Sequence, residues 1–396
     1  MFQVLYPFAT QSRILLGCRS TVLCSSDSTI FVISLRGDRD ITTRRNALKP
    51  TGIMWVRLLP WRKLSSQRLV MVVATLLSVG YGLGILDHLL ERSFDREFDW
   101  PPYVNVRDYV INKILHNKTA PTEMYLSEND WATYQSLVSP NCNTSKLGSK
   151  NSLLVIVKTA PHRIMNRQAI RSTWASAQFA QHDGVQIRTI FVMGKPASKE
   201  EMSEIHTENR DYGDLLVGNY DDTYRNNTLK FISSIGFAFN YCTHAGINEK
   251  IPHVFLVDDD YLVSIPNLIA VVKKFAPHER LYTGWRFDSS PFRLIFQKHR
   301  VSLSKYPYDR YPPYISAGAV LLTHQTVQEF YYAIEHVRIY PYDDIYAGIL
   351  AYLLGIYARH NERFQFWGSG VPLSEMGPLI AIHGYPPEQL AESFSS

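Results

Sequence analysis

HVFLVDDDYLV, the stretch from His253 to Val263, decides how the rest of the chain is read. Val254, Phe255, Leu256 and Val257 form a short continuous apolar run, the pattern of a strand covered on both faces. The run ends in Asp258, Asp259 and Asp260. Three adjacent carboxylates repel one another, and no core holds them unpaired. At the carboxyl end of a buried strand they open into the crevice where open α/β sheets bind ligands. Side-chain alternation there presents two of the three to a divalent cation and turns the other back into the fold. The plainer reading is an acidic turn before a helix that Ser264 caps and Pro266 begins.

Working outward, apolar strands and amphipathic helices alternate. Leu153–Val157 and Val185–Met193 read as strands, with Leu215–Val217 as a shorter one. Helices are expected over Asn166–Trp174, Glu200–Arg210 and Thr228–Tyr241. A later strand falls at Gly318–Thr323, followed by helices at Val327–Ile334 and Ile345–Leu354, the last stopped by Gly355. This alternation predicts an α/β fold with a mixed, mostly parallel sheet flanked by helices. There is no GxSxG elbow, phosphate loop or HExxH motif, so those chemistries have no foothold here.

The chain has 396 residues and a net charge of +5. Residues 1–68 hold 11 Lys/Arg against 3 Asp/Glu, whereas the remainder holds 30 against 33. The basic excess therefore belongs to the N-terminal segment and gives no reason to expect nucleic acid as a partner. Leu69–Leu86 is 18 residues without a charge, about 27 Å as a helix and enough for a thin bilayer. Arg57, Arg62, Lys63 and Arg68 precede it, which predicts a cytoplasmic tail, a signal anchor and a lumenal bulk. The expected organisation is a tail over 1–68 with a possible true start at Met54, a transmembrane anchor over 69–86, a stem over 87–150 and a catalytic domain over 151–396. Sequons at Asn117, Asn143 and Asn226 all follow the anchor, as glycosylation of a lumenal domain requires. Cys142 and Cys242 share that side; their spacing leaves open a disulfide or two buried thiols.

A lumenal α/β domain with carboxylates at a strand end suits a metal-dependent enzyme acting on a nucleotide sugar. A nucleoside diphosphate leaving group gains negative charge as the glycosidic bond breaks, and a divalent cation offsets it. Inversion at the sugar carbon then needs one base for the acceptor hydroxyl. RQAIRSTW (Arg167–Trp174), FVMG (Phe191–Gly194), YGDLL (Tyr212–Leu216), DDTYRNNTLK (Asp221–Lys230), the triple aspartate, YISAGAVLLT (Tyr314–Thr323) and DDIYAGI (Asp343–Ile349) occur in that order. Together, over roughly Ser152 to Phe366, they resemble the beta-1,3-galactosyltransferase family, inverting Golgi enzymes of GT-A fold. The stretch SSPFRLIFQKHRVSLSKYPYDRYPPYISAGA (Ser289–Ala319) is most similar to the brainiac-type branch. That branch transfers N-acetylglucosamine in beta-1,3 linkage to a mannose of a glycolipid.

The resemblance implies roles for particular residues. Asp258 and Asp260 fall on the metal-binding DxD pattern, with Asp260 the direct ligand, and His383 sits where such folds supply a histidine. Manganese accepts that mixture of oxygen and imidazole donors. Asp344 falls on the second acid of a Glu-Asp-Val-Tyr motif and would be the base. Asp343, one methylene shorter than the motif's Glu, would support it. The two acids could equally stand as helix N-terminal residues before Ile345. Lys158, Arg167, Arg171 and Asp259 are candidates to contact the UDP-sugar. Trp285, Tyr311 and Tyr314 offer faces for sugar stacking. The expected partners are a nucleotide sugar and a glycolipid or glycan acceptor, at the Golgi membrane in single-pass type II orientation. Galactose in place of N-acetylglucosamine, a non-catalytic lumenal carbohydrate-binding protein, and a calcium-dependent carbohydrate module are the competing readings. Two or three aspartates in one turn are few ligands for calcium, and a binding module has no use for a base.

Overall fold

The apolar runs fold as strands because each is covered on both sides. In chain order the strands are β1 (Ser136–Val138), β2 (Ser152–Lys158), β3 (Gln181–His182), β4 (Val185–Lys195), β5 (Leu215–Asp221), β6 (His253–Asp258), β7 (Tyr261–Val263), β8 (Tyr282–Phe287), β9 (Tyr314–Thr323), β10 (Ala358–His360), β11 (Phe364–Gln365) and β12 (Ala381–His383). The computed structural model describes residues 65–126, 135–142, 151–242, 250–368 and 370–395, all within the unit Leu64–Ser396. Residues 1–64, with Met54, Cys18 and Cys24, and the Asn143 sequon lie outside the described residues.

The large sheet has the order β1-β5-β4-β2-β6-β9-β8-β10. β5, β4, β2 and β6 run parallel, β9 lies antiparallel between β6 and β8, and β10 is parallel to β8. The expected mixed, mostly parallel sheet is thus present. Alternate residues of β2 and β6 enter two separate cores. Leu154, Ile156, Val254 and Leu256 face one; Leu153, Val155, Val157, Phe255 and Val257 face the other. Helices Asn227–Phe239, His324–Ile334 and Asp343–Leu354 cover the first core, and Ile164–Ser172, Lys199–Tyr212 and Ile265–Val272 cover the second. Gly355, at φ 68°, ends helix Asp343–Leu354 as expected. A small sheet, β11-β12-β7, sits beyond the end of β6, with β7 and β12 antiparallel.

Two expectations about the N-terminal half change. The region expected to be a stem is part of the folded domain. Phe94, Trp100, Val106, Tyr109, Val110 and Met124 are buried in the first core, and helix Val106–His116 packs on helices His324–Ile334 and Asp343–Leu354. β1 extends the large sheet on β5. The apolar stretch 69–86 is not one continuous helix. Helix Ser66–Gly82 stops before Gly84, which has φ 70°, and a short helix Ile85–Leu89 follows. A β-carbon at Gly84 would stand 2.8 Å from Arg293 Cβ, so glycine lets the chain turn against the Arg293 loop. No helix among the described residues is long and apolar enough to cross a membrane.

Asn117 ends helix Val106–His116 in a left-handed conformation and is exposed. The Asn226 sequon is more engaged. The Asn226 amide donates to the Asp221 carbonyl and the buried Thr228 hydroxyl to that of Tyr340. Cys142 and Cys242 are disulfide-bonded across a sequence separation of 100 residues. Replacing both by Ser is expected to cost about 2–5 kcal/mol, because the unfolded chain regains the freedom of a long loop. The check is the urea midpoint with and without reductant. Reductant should lower the wild-type midpoint and leave the double Ser variant unmoved; equal midpoints in both proteins would remove the bridge from the stability argument.

Candidate active site

β2 and β6 are neighbours in register, with Lys158 opposite Asp258. Both side chains therefore leave the sheet at the same carboxyl end. Lys158 is buried, and its Nζ donates to Asp343 Oδ2 at 2.8 Å and stands 3.0 Å from Asp258 Oδ1. Burial alone would depress the Lys158 ammonium, but the two aspartates hold its pKa above the usual lysine range. Lys158 thus joins the end of β6 to the start of helix Asp343–Leu354. Its ammonium is committed to carboxylates, which differs from the expected contact with the UDP-sugar.

The triple aspartate splits by direction. Asp259 points into the fold, where Thr159 Oγ1 donates to its Oδ2 at 2.6 Å and Arg163 Nε lies 3.0 Å away. Burial pushes the Asp259 carboxyl up to about 6, against the pull of those two groups. In this geometry it anchors the end of β6 to the turn after β2. Asp258 and Asp260 face the crevice side, with side chains 37% and 30% exposed. Burial also raises Asp258, with Lys158 opposing and Asp260 and Asp343 adding. Asp260 is lowered despite its burial, because His383 and Arg163 favour the ionised form.

β12 pairs with β7 so that His383 stands opposite Tyr261. This brings His383 Nε2 to 3.3 Å from Asp260 Oδ2 and raises the imidazole pKa through that bond. The Gly384 and Tyr385 amides both donate to the Asp260 carbonyl. Asp260 Oδ1 is buried without a hydrogen-bond partner. A buried carboxylate oxygen without a donor, beside an imidazole and a second carboxylate, is the donor chemistry a manganese ion accepts. No group of three or more such ligands is gathered closely enough to hold a metal among the described residues. Lys158 holds Asp258 instead.

Asp343 and Asp344 form the first turn of their helix, where backbone amides favour carboxylates. Asp344 Oδ1 accepts from the Ile345 amide at 2.8 Å. Burial, and then the adjacent Asp343 charge, push the Asp344 carboxyl up to about 7. Asp343 is occupied by Lys158, so the shorter side chain still reaches a cationic support. Tyr224 exposes its ring nearby. Burial of its hydroxyl, then the charges of Asp344 and Asp343, raise that phenol to about 12. Lys298 and His299 lie against Tyr224, and His299 also faces Tyr342.

Arg167 and Arg171 require correction as donor contacts. Arg167 is buried; it donates to both oxygens of Glu208 and to the carbonyls of Ala160 and Pro161. Arg171 donates to both oxygens of Asp214 and stands 2.8 Å from Glu208 Oε1. Their four-residue spacing marks a structural ion-pair face. Tyr311 is also core, hydrogen-bonded to the Tyr340 hydroxyl, and the buried Tyr314 bonds Ser289. Only Trp285 of the three aromatic candidates is half-buried, packed against His360 and Trp367. Thr159, Arg163, Tyr224 and His299 were missed, and only the position of Thr159 and Arg163 just after a strand end could have signalled them.

The galactosyltransferase family model matches residues 165–362, a span that contains the aspartates and Asp343–Asp344. Beta-1,3-galactosyltransferase bre-5 of Caenorhabditis elegans is 36% identical over 338 residues, 85% of this chain and 95% of that protein. Beta-1,3-galactosyltransferase brn of Drosophila melanogaster is 31% identical over 302 residues, 76% of this chain and 85% of that protein. Beta-1,3-galactosyltransferase 1 of Homo sapiens is 27% identical over 240 residues, 60% of this chain and 71% of that protein. The sequence motifs, the mixed sheet and these relatives agree: the chain belongs to the galactosyltransferase family and is a beta-1,3-glycosyltransferase.

Proposed function

We propose that the enzyme inverts configuration as it transfers N-acetylglucosamine from UDP-GlcNAc, in beta-1,3 linkage, to a mannose of a glycolipid. The observation that carries the inverting reading is the division of labour around Lys158. On one side stand Asp258, Asp260 and His383; on the other, Asp343 is tied to Lys158 while Asp344 keeps its Oδ2 oxygen out of that ion pair. Asp344 Oδ2 takes the acceptor hydroxyl proton as that oxygen attacks the anomeric carbon, and the bond to UDP breaks on the opposite face. Asp258, Asp260 and His383 would hold a manganese ion, which when bound offsets charge on the departing diphosphate. Lys158, paired with Asp343, fixes the helix start that carries Asp344. Tyr224, exposed beside Asp344, offers an aromatic face to the acceptor sugar.

The glycolipid acceptor and the sugar follow from the likeness of Ser289–Ala319 to the brainiac-type branch. The names of the relatives favour a second reading in which galactose is the donor sugar. A Golgi membrane site with a lumenal catalytic domain is supported by the Cys142–Cys242 disulfide, since such bonds persist in oxidising compartments. The exposed Asn117 sequon and the exposed apolar helix Ser66–Gly82 agree with it. Radiolabelled UDP-GlcNAc and UDP-galactose, each offered with mannose-terminated glycolipid, separate the two donors. Transfer from UDP-GlcNAc to the mannose 3-hydroxyl is expected; transfer from UDP-galactose alone would reject the first reading.

Asp344→Asn keeps an oxygen for the Ile345 amide but cannot take a proton at neutral pH. Turnover is expected to fall about 10²–10⁴-fold with UDP binding and melting temperature little changed. Loss of UDP binding would point instead to a nucleotide role. A base works ionised, and the Asp344 pKa is raised. Wild-type kcat/KM should therefore be full above about 7 and fall about tenfold per pH unit below it. An acid limb confined to the ordinary carboxylate range would contradict Asp344 as the base.

Asp260→Ala removes the unpartnered oxygen and the partner of His383. Manganese affinity measured by calorimetry in the presence of UDP is expected to fall at least about 10–100-fold. Unchanged affinity in a folded variant would exclude Asp260 as a ligand.

A further inference from the structure

The loop after β8 has a regular inside and outside that the chemistry of transfer does not use. Phe292, Leu294, Phe296 and Lys298 are exposed, Phe296 to 91%, while Arg293 between them is buried. Arg293 pins the loop from within. It donates to Glu91 Oε1 at 2.7 Å and to the carbonyls of Val301, Tyr306 and Tyr308. The Val301 amide closes the loop on the Phe292 carbonyl, and Arg300 donates to the Arg293 carbonyl. Three large apolar side chains are therefore held outward by a fixed scaffold, against the cost of wetting them.

The position of the loop identifies what covers it. Its Ile295 amide contacts the Gly82 carbonyl, the last residue of the exposed apolar helix Ser66–Gly82. Gly84 lies against Arg293, and Arg300 stands 3.3 Å from Asp87. The apolar surface of that helix continues through exposed Leu83, Ile85, Leu89 and Leu90 beside the loop. Aromatic and aliphatic side chains with a neighbouring lysine, at the end of an apolar helix, have the composition of a membrane–water boundary. The inner end of the same loop carries His299, which packs between Tyr224 and Tyr342 beside the proposed base.

We propose that Phe292, Leu294 and Phe296 seat in the surface of the bilayer that holds the apolar helix, and so keep the acceptor edge of the active site against lipid-borne sugars. This rests on the membrane-anchored, glycolipid-directed reading above. Phosphatidylcholine gives the seat its acyl boundary.

The test uses the full chain reconstituted into phosphatidylcholine–phosphatidylserine vesicles doped with photoactivatable phosphatidylcholine. Lipid crosslinks should map to helix Ser66–Gly82 and to the segment 292–296. Phe296→Ser, which removes a fully exposed ring, and the triple Phe292→Ser, Leu294→Ser, Phe296→Ser variant should lower the loop crosslinks. The triple variant should lose about tenfold in kcat/KM toward a mannose-terminated glycolipid in the vesicles, the scale expected when apolar contact area with lipid is lost. Its activity toward a soluble mannoside should be unchanged. Crosslinked helix with an uncrosslinked loop, or equal loss on both acceptors, overturns the seat and leaves the anchored enzyme standing. Protein–protein crosslinks at Phe296 in place of lipid overturn it in favour of a partner interface. A chain that fails to float with the vesicles overturns the seat and the anchor together. If the soluble mannoside is inert with either donor, the acceptor assignment fails while the crosslinks still decide the seat.

Discussion

The Lys158 ammonium is the interaction on which the site depends. It stands between Asp258, at the end of a central strand, and Asp343, at the start of a helix 85 residues further on. A buried lysine stripped of its carboxylates would be an uncompensated charge, strongly destabilising by the usual scale of about 3–5 kcal/mol. With both partners present it fixes the spacing of two acidic groups that would otherwise repel. The sheet makes this possible because parallel β2 and β6 in register deliver Lys158 and Asp258 to the same edge. Antiparallel β9 then returns the chain to the far end of β6, and the helices after it lead back to Asp343. The distance between the proposed metal side and the proposed base side is a property of one salt-bridged lysine.

A second network holds the floor of the crevice. Lys230 donates to the Thr159 carbonyl and to Asp222, and Asp222 accepts from the Gly194 amide. Thr159 in turn bonds Asp259 through its hydroxyl. The turn after β2 is therefore fastened to β4, to the helix Asn227–Phe239 and to the triple aspartate at once. Gly194 has to be glycine because a β-carbon there would meet the Tyr220 carbonyl at 2.6 Å. These contacts are short, buried and charge-assisted, the type that orients neighbouring groups more strongly than exposed pairs do.

Much of this was legible in the sequence, and what was not has a common cause. Period and length located β2, β4, β6 and the main helices, because a doubly covered strand is apolar throughout and an amphipathic helix repeats every three to four residues. The outward facing of two aspartates and the inward facing of the third agree with the sequence reading, although Asp259 and Asp260 lie in the turn after β6 and not on the strand itself. The errors arose where a residue's partner is distant in sequence. Arg167 and Arg171 share a helix face, but nothing local announces Glu208 and Asp214. Phe94, Trp100 and Val106 show no period, so they read as a stem, yet they fill the core beneath helices formed more than 200 residues later. His383 reaches Asp260 only because β7 and β12 pair. Gly84 interrupts the apolar stretch because Arg293 occupies the space a side chain would need.

The two adjacent acids show how one sequence pattern acquires two roles. Asp343 and Asp344 have the same side chain and the same helix turn, so their intrinsic chemistry cannot separate them. Their partners do. Asp343 gives an oxygen to a buried ammonium. Asp344 has only backbone amides, and burial together with the neighbouring negative charge raises its proton affinity. A carboxylate that binds a proton more readily while remaining ionised near neutrality is better suited to accept one from a hydroxyl. Replacing the family motif's Glu by Asp343 preserves this division because Lys158 comes within 2.8 Å of the shorter side chain. The salt bridge that positions the acids therefore also sets the proposed base apart from its neighbour.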